Sequence, residues 1–370
     1  MSLHKFLIAL ALLMVLFNPL SGQAAPLYSV SFLHDVDFAP TGMNNAGQIV
    51  GFAGTGDGAI HAVLYAGGVL ADLGGMGGTD SYATALNEAG AIVGVTLRAS
   101  GEQHAFLYQD GAVRDLGAGT AARGINTRGD VVGTLDTASG SSGFLYRAGI
   151  LTALANPGTG RDGTAVGIND HGTVAGDATS GADAASRRPF LYQHGQMSEL
   201  DMPNGHSIVG VSAINNAGQI AGYSTGPDGA MHALLYQHGA MQDLGGLGDA
   251  HLDIHDLNEH GTLVGTASNE DDGLIPFMSL NGALVDLNTL LDPLLGLHIF
   301  SAYANNDLGQ IVGYGCRDSA CGLVRLDLAG AVPEPGGAFL WLAGLTMLAR
   351  ARQRLQDKRA PAHAMQWRSA

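Results

Sequence analysis

"INNAGQIAG", residues 214–222, is one of seven near-copies of a single nine-residue phrase. The others read "MNNAGQIVG" (43–51), "LNEAGAIVG" (86–94), "INTRGDVVG" (125–133), "INDHGTVAG" (168–176), "LNEHGTLVG" (257–265) and "NNDLGQIVG" (305–313). Asn followed three residues later by Gly is the signature of a type I turn, with Asn at position i and Gly at i+3. An apolar residue precedes Asn in most copies, and apolar residues follow the turn. The phrase therefore reads as strand, tight turn, strand.

A second phrase alternates with the first: "HAVLYAGGVLADLG" (61–74), "HAFLYQDGAVRDLG" (104–117), "GFLYRAGILTALA" (143–155), "RPFLYQHGQMSELD" (188–201), "HALLYQHGAMQDLG" (232–245) and the more divergent "IPFMSLNGALVDLN" (275–288). Each is again an apolar run, a short turn and an apolar run, so one unit holds four short strands. The turn asparagines Asn44, Asn87, Asn126, Asn169, Asn215, Asn258 and Asn306 are spaced 43, 39, 43, 46, 43 and 48 residues apart. A period of about 40–45 residues with four strands marks a propeller blade, whereas a β-solenoid, the rival architecture, usually repeats at about 20–30. The expected fold is all-β, a seven-bladed β-propeller of four-stranded blades. Middle strands such as "AFLY" (105–108) and "ALLY" (233–236) are continuously apolar, as strands covered on both faces must be. Glycine runs at 72–78 and 243–248 suit the passage from one blade to the next.

The last unit has a first hairpin (302–314) and a third strand (321–327) but no good fourth. The strand "YSVSFLH" (28–34) stands alone before Asn44 and is expected to fill that place, pairing both open edges. Cys316 and Cys321 flank a short loop in this closing blade and are expected to form a disulfide in an exported chain. Two thiols alone fall short of a four-ligand zinc site.

The ends carry addresses. Residues 1–24 combine Lys5, an apolar run over 6–17 and small residues at Gly22 and Ala24, the pattern of a secretory signal peptide cut after Ala24. The propeller is assigned to 25–330. Residues 331–354 hold Pro333-Glu334-Pro335, an apolar run to Ala349, and Arg350, Arg352 and Arg354. A helix of fourteen residues spans about 21 Å, short of the hydrocarbon core of about 30 Å, and flanking Leu and snorkelling Arg extend it. This predicts a short C-terminal apolar helix, with 355–370 as a basic cytoplasmic tail. Between 26 and 335 there is no lysine, and 32 acidic residues face 10 arginines. Such a body repels phosphate backbones, so nucleic acid is not an expected partner.

The paired phrases "HAFLY…DLG" and "INNAGQIVG" resemble the HAF family of probable extracellular repeats over residues 28–328. The tail resembles the PEP-CTERM sorting signal, with Pro333, Glu334 and Pro335 as the signature and Arg350 and Arg352 as the cytoplasmic stop. The second resemblance implies export in a Gram-negative bacterium, a transient membrane anchor through the C-terminal helix, and processing by an exosortase. The protein would then reach the cell surface or extracellular matrix, often in connection with exopolysaccharide. The expected partners are the export machinery and the exosortase, then extracellular polysaccharide or a surface protein. The HAF resemblance implies no reaction.

Catalytic motifs are sparse. His61, His104 and His232 recur at one repeat position, which holds Ser142, Arg188, Ile275 or Cys321 elsewhere. A slot with several equivalents reads as structural hydrogen bonding. In "HLDIHDLNEHG" (251–261), His251, Asp253 and His255 alternate, which puts them on one strand face, with Glu259 and His260 in the next turn. They are the candidate ligands for a divalent metal; the alternative is a polar face near the propeller channel. The acidic loops at 55–59, 226–230 and 269–273 are oxygen-rich enough to consider calcium, yet none has EF-hand spacing. No phosphate loop or C-x-x-C is present. Both tryptophans, Trp341 and Trp367, lie in the tail, which leaves the propeller few platforms for stacking a sugar ring. The expectation is a non-catalytic, cofactor-free protein with an interaction or structural role. Two alternatives stand beside it: a hydrolase or lyase with a metal-assisted site at the channel mouth, and a calcium-stabilised adhesin.

Overall fold

Each nine-residue phrase forms the hairpin between the first two strands of a four-stranded antiparallel sheet, and seven such sheets make a β-propeller. The computed structural model describes residues 27–33, 36–154, 162–179, 187–247, 251–268 and 273–329. The signal peptide, the 331–354 segment with its sorting residues and the 355–370 tail lie outside the described residues. The innermost strands of blades 1 to 7 are Ala39–Met43, Asp80–Leu86, Thr120–Ile125, Gly163–Ile168, Ser207–Ile214, His251–Leu257 and Leu297–Asn305. In blades 1 to 6 the remaining three strands follow in sequence order from inside to outside.

Three positions of the phrase do separate work. The asparagine, buried in every copy, satisfies its own turn through Oδ1: in blade 2 the Asn87 oxygen accepts from Ala89 N–H at 3.1 Å and Ala91 N–H at 2.9 Å. Its Nδ2 points outward and donates to the main-chain carbonyl of the equivalent asparagine in the next blade. This runs Asn44 to Asn87, Asn126, Asn169, Asn215, Asn258 and Asn306, and returns from Asn306 to Asn44, at 2.9–3.2 Å. The ring is therefore closed by side chains reaching between blades. The turn glycine is left-handed in all copies, with φ from 73° at Gly47 to 82° at Gly172, a region other residues enter at a cost.

The phrase's last glycine lies on the second strand. A Cβ there would sit 2.0–2.5 Å from an inner-strand carbonyl at Gly51, Gly94, Gly133, Gly176, Gly222, Gly265 and Gly313. In four blades a buried ring from the third strand, Phe106, Phe144, Phe190 or Phe277, closes over the same glycine. Residues of neighbouring blades complete these layers: Val50 and Ala62 of blade 1, for instance, pack with Ala83, Ile92 and Phe106 of blade 2.

Blade 7 takes its outer strand from the start of the chain. Tyr28–Phe32 pairs antiparallel with Ala320–Leu328, Tyr28 opposite Leu328 and Phe32 opposite Val324. Cys316 and Cys321 face each other across the adjoining hairpin and are joined as a disulfide, Cα atoms 4.0 Å apart. Two short 3₁₀ helices, Leu287–Leu290 and Pro293–Leu295, lie between blades 6 and 7 and account for the longest spacing in the repeat. Leu287 and Leu291 pack in one cluster with Tyr28 and Ile299, so this insertion supports the closing strand.

Two substitutions test this division of labour. Asn126→Ala leaves a buried carbonyl and two turn N–H groups without their partner and is expected to cost about 2–3 kcal/mol in denaturant unfolding. Gly133→Ala forces a Cβ against the Ala121 carbonyl. It is expected to lower the unfolding midpoint by an equivalent of at least about 2 kcal/mol, whereas the exposed Val69→Thr should stay within about 0.5.

Candidate functional site

Each innermost strand carries a β-bulge at the same place, and the extra residue is Thr41, Thr84, Arg123, Val166, Ser212, His255 or Tyr303. Bulges of this kind re-aim a side chain. In blades 1 to 6 these residues line a central channel cavity of about 440 Å3. That volume is in the range of small-ligand sites. The bulge position is where the repeat is least uniform. Thr41 and Thr84 spend their hydroxyls on the carbonyls of Ala83 and Ala122 in the next blade, at 2.9 and 3.0 Å. Arg123 is exposed to the channel and has no hydrogen-bond or ion-pair partner among the described residues. The His255 ring lies 5.9 Å from that of Tyr303. The His255 side chain is exposed to the channel, yet its depth in the ring strips enough solvent to hold the imidazole below its ordinary pKa, against the opposing charge of Asp253. Beside it, Asp256 accepts the N–H groups of Leu257 and Asn305 at 2.8 and 3.0 Å. Burial nevertheless pushes its carboxyl up to about 6. Its surface is only partly covered, but it lies deep in the ring, and depth rather than contact area sets the cost of its charge.

The turn end of the channel is acidic. After six of the seven ring asparagines the next residue donates its N–H to the side chain of its counterpart in the following blade. Asn45 donates to Glu88, Thr127 to Asp170, Asp170 to Asn216, Asn216 to Glu259, Glu259 to Asp307, and Asp307 to Asn45. Burial, reinforced by the charges of Asp307 and Asp170, raises the Glu88 and Glu259 carboxyls above their usual range.

His251, Asp253 and His255 are all exposed on their strand, but of the three only His255, at the bulge, lines the channel cavity, and they do not converge. His251 Nε2 meets Asp253 Oδ2 at 3.0 Å, with both groups exposed. Alternate strand residues rise about 6.6 Å, which separates positions 251 and 255 by about 13 Å along the strand. Glu259 and His260 sit beyond the far end of that strand; Glu259 belongs to the turn ring, and His260 Nε2 lies 3.1 Å from the Asp307 carbonyl. Among the described residues, the three metal-capable side chains with donor atoms within 4.8 Å of one another are His206, His232 and Asp243. His206 lies outside both repeated phrases.

The recurrent histidines have a defined job. His61, His104 and His232 each place Nδ1 2.9 Å from the aspartate of the "DLG" segment, Asp72, Asp115 or Asp243. Each aspartate also accepts the N–H of the following glycine, Gly74, Gly117 or Gly245. The pair ties the third strand to the exit of the fourth. Two acidic loops are likewise occupied locally: Asp57 accepts from Thr55 and Ala59, and Asp228 from Ala230 and His232. Residues 269–272 lie outside the described residues. No helix among the described residues is long and apolar enough to cross a membrane.

No family profile and no curated protein matches the chain. Solved propellers do. The β-propeller domain of the Trilobed protease from Pyrococcus furiosus, described as having an open velcro topology, is 8% identical with a TM-score of 0.52, over 84% of this chain and 98% of that one. A puromycin-hydrolyzing peptidase from Mycobacterium tuberculosis is 15% identical with a TM-score of 0.48, over 81% of this chain and 52% of that one. TolB from Acinetobacter baumannii is 11% identical with a TM-score of 0.47, over 66% of this chain and 62% of that one. The chain thus spans less than two thirds of the TolB and peptidase chains. At such identities the likeness establishes a β-propeller and carries no activity across.

Asp256 gives the channel a pH signature. Its folded pKa lies above the unfolded value, so the folded state binds the extra proton and gains stability as pH falls through that folded pKa. From pH 7.5 to pH 5 the wild type is expected to gain about 1 kcal/mol over Asp256→Asn, read as a widening difference in unfolding free energy. A constant difference would place the titration elsewhere.

Proposed function

We propose that this is an exported, surface- or matrix-sorted propeller with a non-catalytic interaction or structural role in the extracellular layer. The observation that carries this reading is the use of the recurrent polar groups. The seven asparagines and the three His–Asp pairs are engaged in holding blades and strands together. What varies between blades, the bulge ring and the exposed outer strands, is left for recognition. Extracellular polysaccharide or a surface protein is the partner class that fits an acidic propeller delivered by a PEP-CTERM-like tail. The cavity size and the unpaired Arg123 support binding of a small or extended anionic group at the channel.

Export and sorting are tested by the intact mass of the native protein from membrane and extracellular fractions. The expected species starts at Ala25 and ends near Glu334. A mature species that retains residues 336–370 would overturn sorting and leave an anchored propeller.

A further inference from the structure

Blade 5 differs from its siblings at the His–Asp pair. In blades 1 and 2 the pair stands with its glycine cap, and in blade 2 the Asp115 carboxylate also takes the Arg98 guanidinium. Arg98 follows the ring asparagine by eleven residues; the same position in blade 5 is Gly226. The competing cation is thereby removed. In its place His206, from the turn that precedes the innermost strand, brings Nε2 to 3.4 Å from Asp243 Oδ2.

The three groups are oriented as ligands. His206 is nearly buried, and its Nδ1 lies 2.7 Å from the hydroxyl of the fully buried Ser224, which leaves Nε2 to face Asp243. His232 points Nδ1 at Asp243 and Nε2 at Asp228, 3.1 Å away, an arrangement in which the outer carboxylate fixes the ring and its tautomer. Asp243 is held through Oδ1 by the Gly245 N–H at 2.8 Å, and Oδ2 lies between the two imidazoles. Donor atoms about 2.1 Å from a tetrahedral ion lie about 3.4 Å apart. His206 Nε2 and Asp243 Oδ2 already have that spacing, the 2.9 Å between His232 Nδ1 and Asp243 Oδ2 must open, and rotation of His232 sets the distance between the two imidazoles, all three donors lying within 4.8 Å of one another.

We propose that His206 Nε2, His232 Nδ1 and Asp243 Oδ2 form a zinc-class divalent metal site, with a fourth position open to water or an external ligand. The site staples the entry turn of blade 5 to its third and fourth strands. It is separate from the channel and from the His251–Asp253 pair.

The test is calorimetric titration of Zn2+ into the mature chain after chelator treatment and dialysis. One ion per chain is expected. His206→Gln should abolish that binding, and Ser224→Ala should weaken it about 10–100-fold. Gly226→Arg, which supplies the blade 2 cation and whose Cβ would press on the His232 ring and Asp228, should also abolish it. His104→Ala, at a pair lacking the third ligand, should leave it unchanged. Circular dichroism checks folding; if His206→Gln misfolds, Gly226→Arg decides. No binding by the wild type, or one-ion binding that survives in folded His206→Gln or Gly226→Arg, overturns the proposal.

Discussion

The structure depends on one short side chain used seven times. Asn is the residue that can accept its own turn's N–H groups with Oδ1 while donating from Nδ2 to a neighbour, all within one χ1–χ2 reach. Asp offers no donor. The donor closes on the carbonyl of the next asparagine, so each turn is both capped and clamped to the following blade. A ring of such bonds fixes blade spacing at the inner end. Within each blade the inner and second strands approach so closely beside the bulge that only glycine fits at the phrase's end, and the phenylalanine of the third strand fills the remaining space in four blades. The nine residues are thus one solution to a packing problem, repeated because the ring needs identical steps.

A scaffold this uniform makes its exceptions informative. Equivalent positions that repeat are absorbed by the fold, as the His61, His104 and His232 pairs show. Polar groups not absorbed by the fold are found where a copy departs from the pattern. The bulge ring is one such place, with threonines that serve neighbouring blades and then Arg123, His255 and Tyr303, which do not recur. The cluster around His206 is another: a repeated pair gains a third partner because a loop histidine and a glycine occur in the same blade.

Local periodic features were legible in the sequence. The seven hairpins, four strands per blade and the closing role of the strand near Tyr28 follow from pattern and from counting edges. The residues of the phrase were legible as a turn, but the inter-blade reach of Asn was not, because a hydrogen bond between positions about one blade apart leaves no mark on local pattern. The same holds for the terminal glycine, whose constraint is a carbonyl on another strand. The exposure of His251, Asp253 and His255 was readable from alternation; their failure to converge follows from strand rise and from the bulge at His255, which alternation does not weigh. His206 was missed because it sits in the connecting stretch before blade 5, outside any repeat.

Closure sets a condition on how the molecule is made. Ser29 bonds to the Asp327 carbonyl, 298 residues away, so the ring cannot shut until the last blade exists. Contacts of such separation form late, since loop entropy must be overcome before they contribute. On the export reading, a cut after Ala24 leaves the closing strand only a few residues from the new N-terminus. The open ring, with its edge strand Ala320–Leu328 unpaired, would then exist until the C-terminal blade has also crossed the membrane. An unpaired edge is a template for aggregation. The disulfide joins this edge strand to its inner neighbour, Ile311–Arg317, and lies within a single hairpin, so it can form before closure and hold the edge in register for Tyr28–Phe32 to dock.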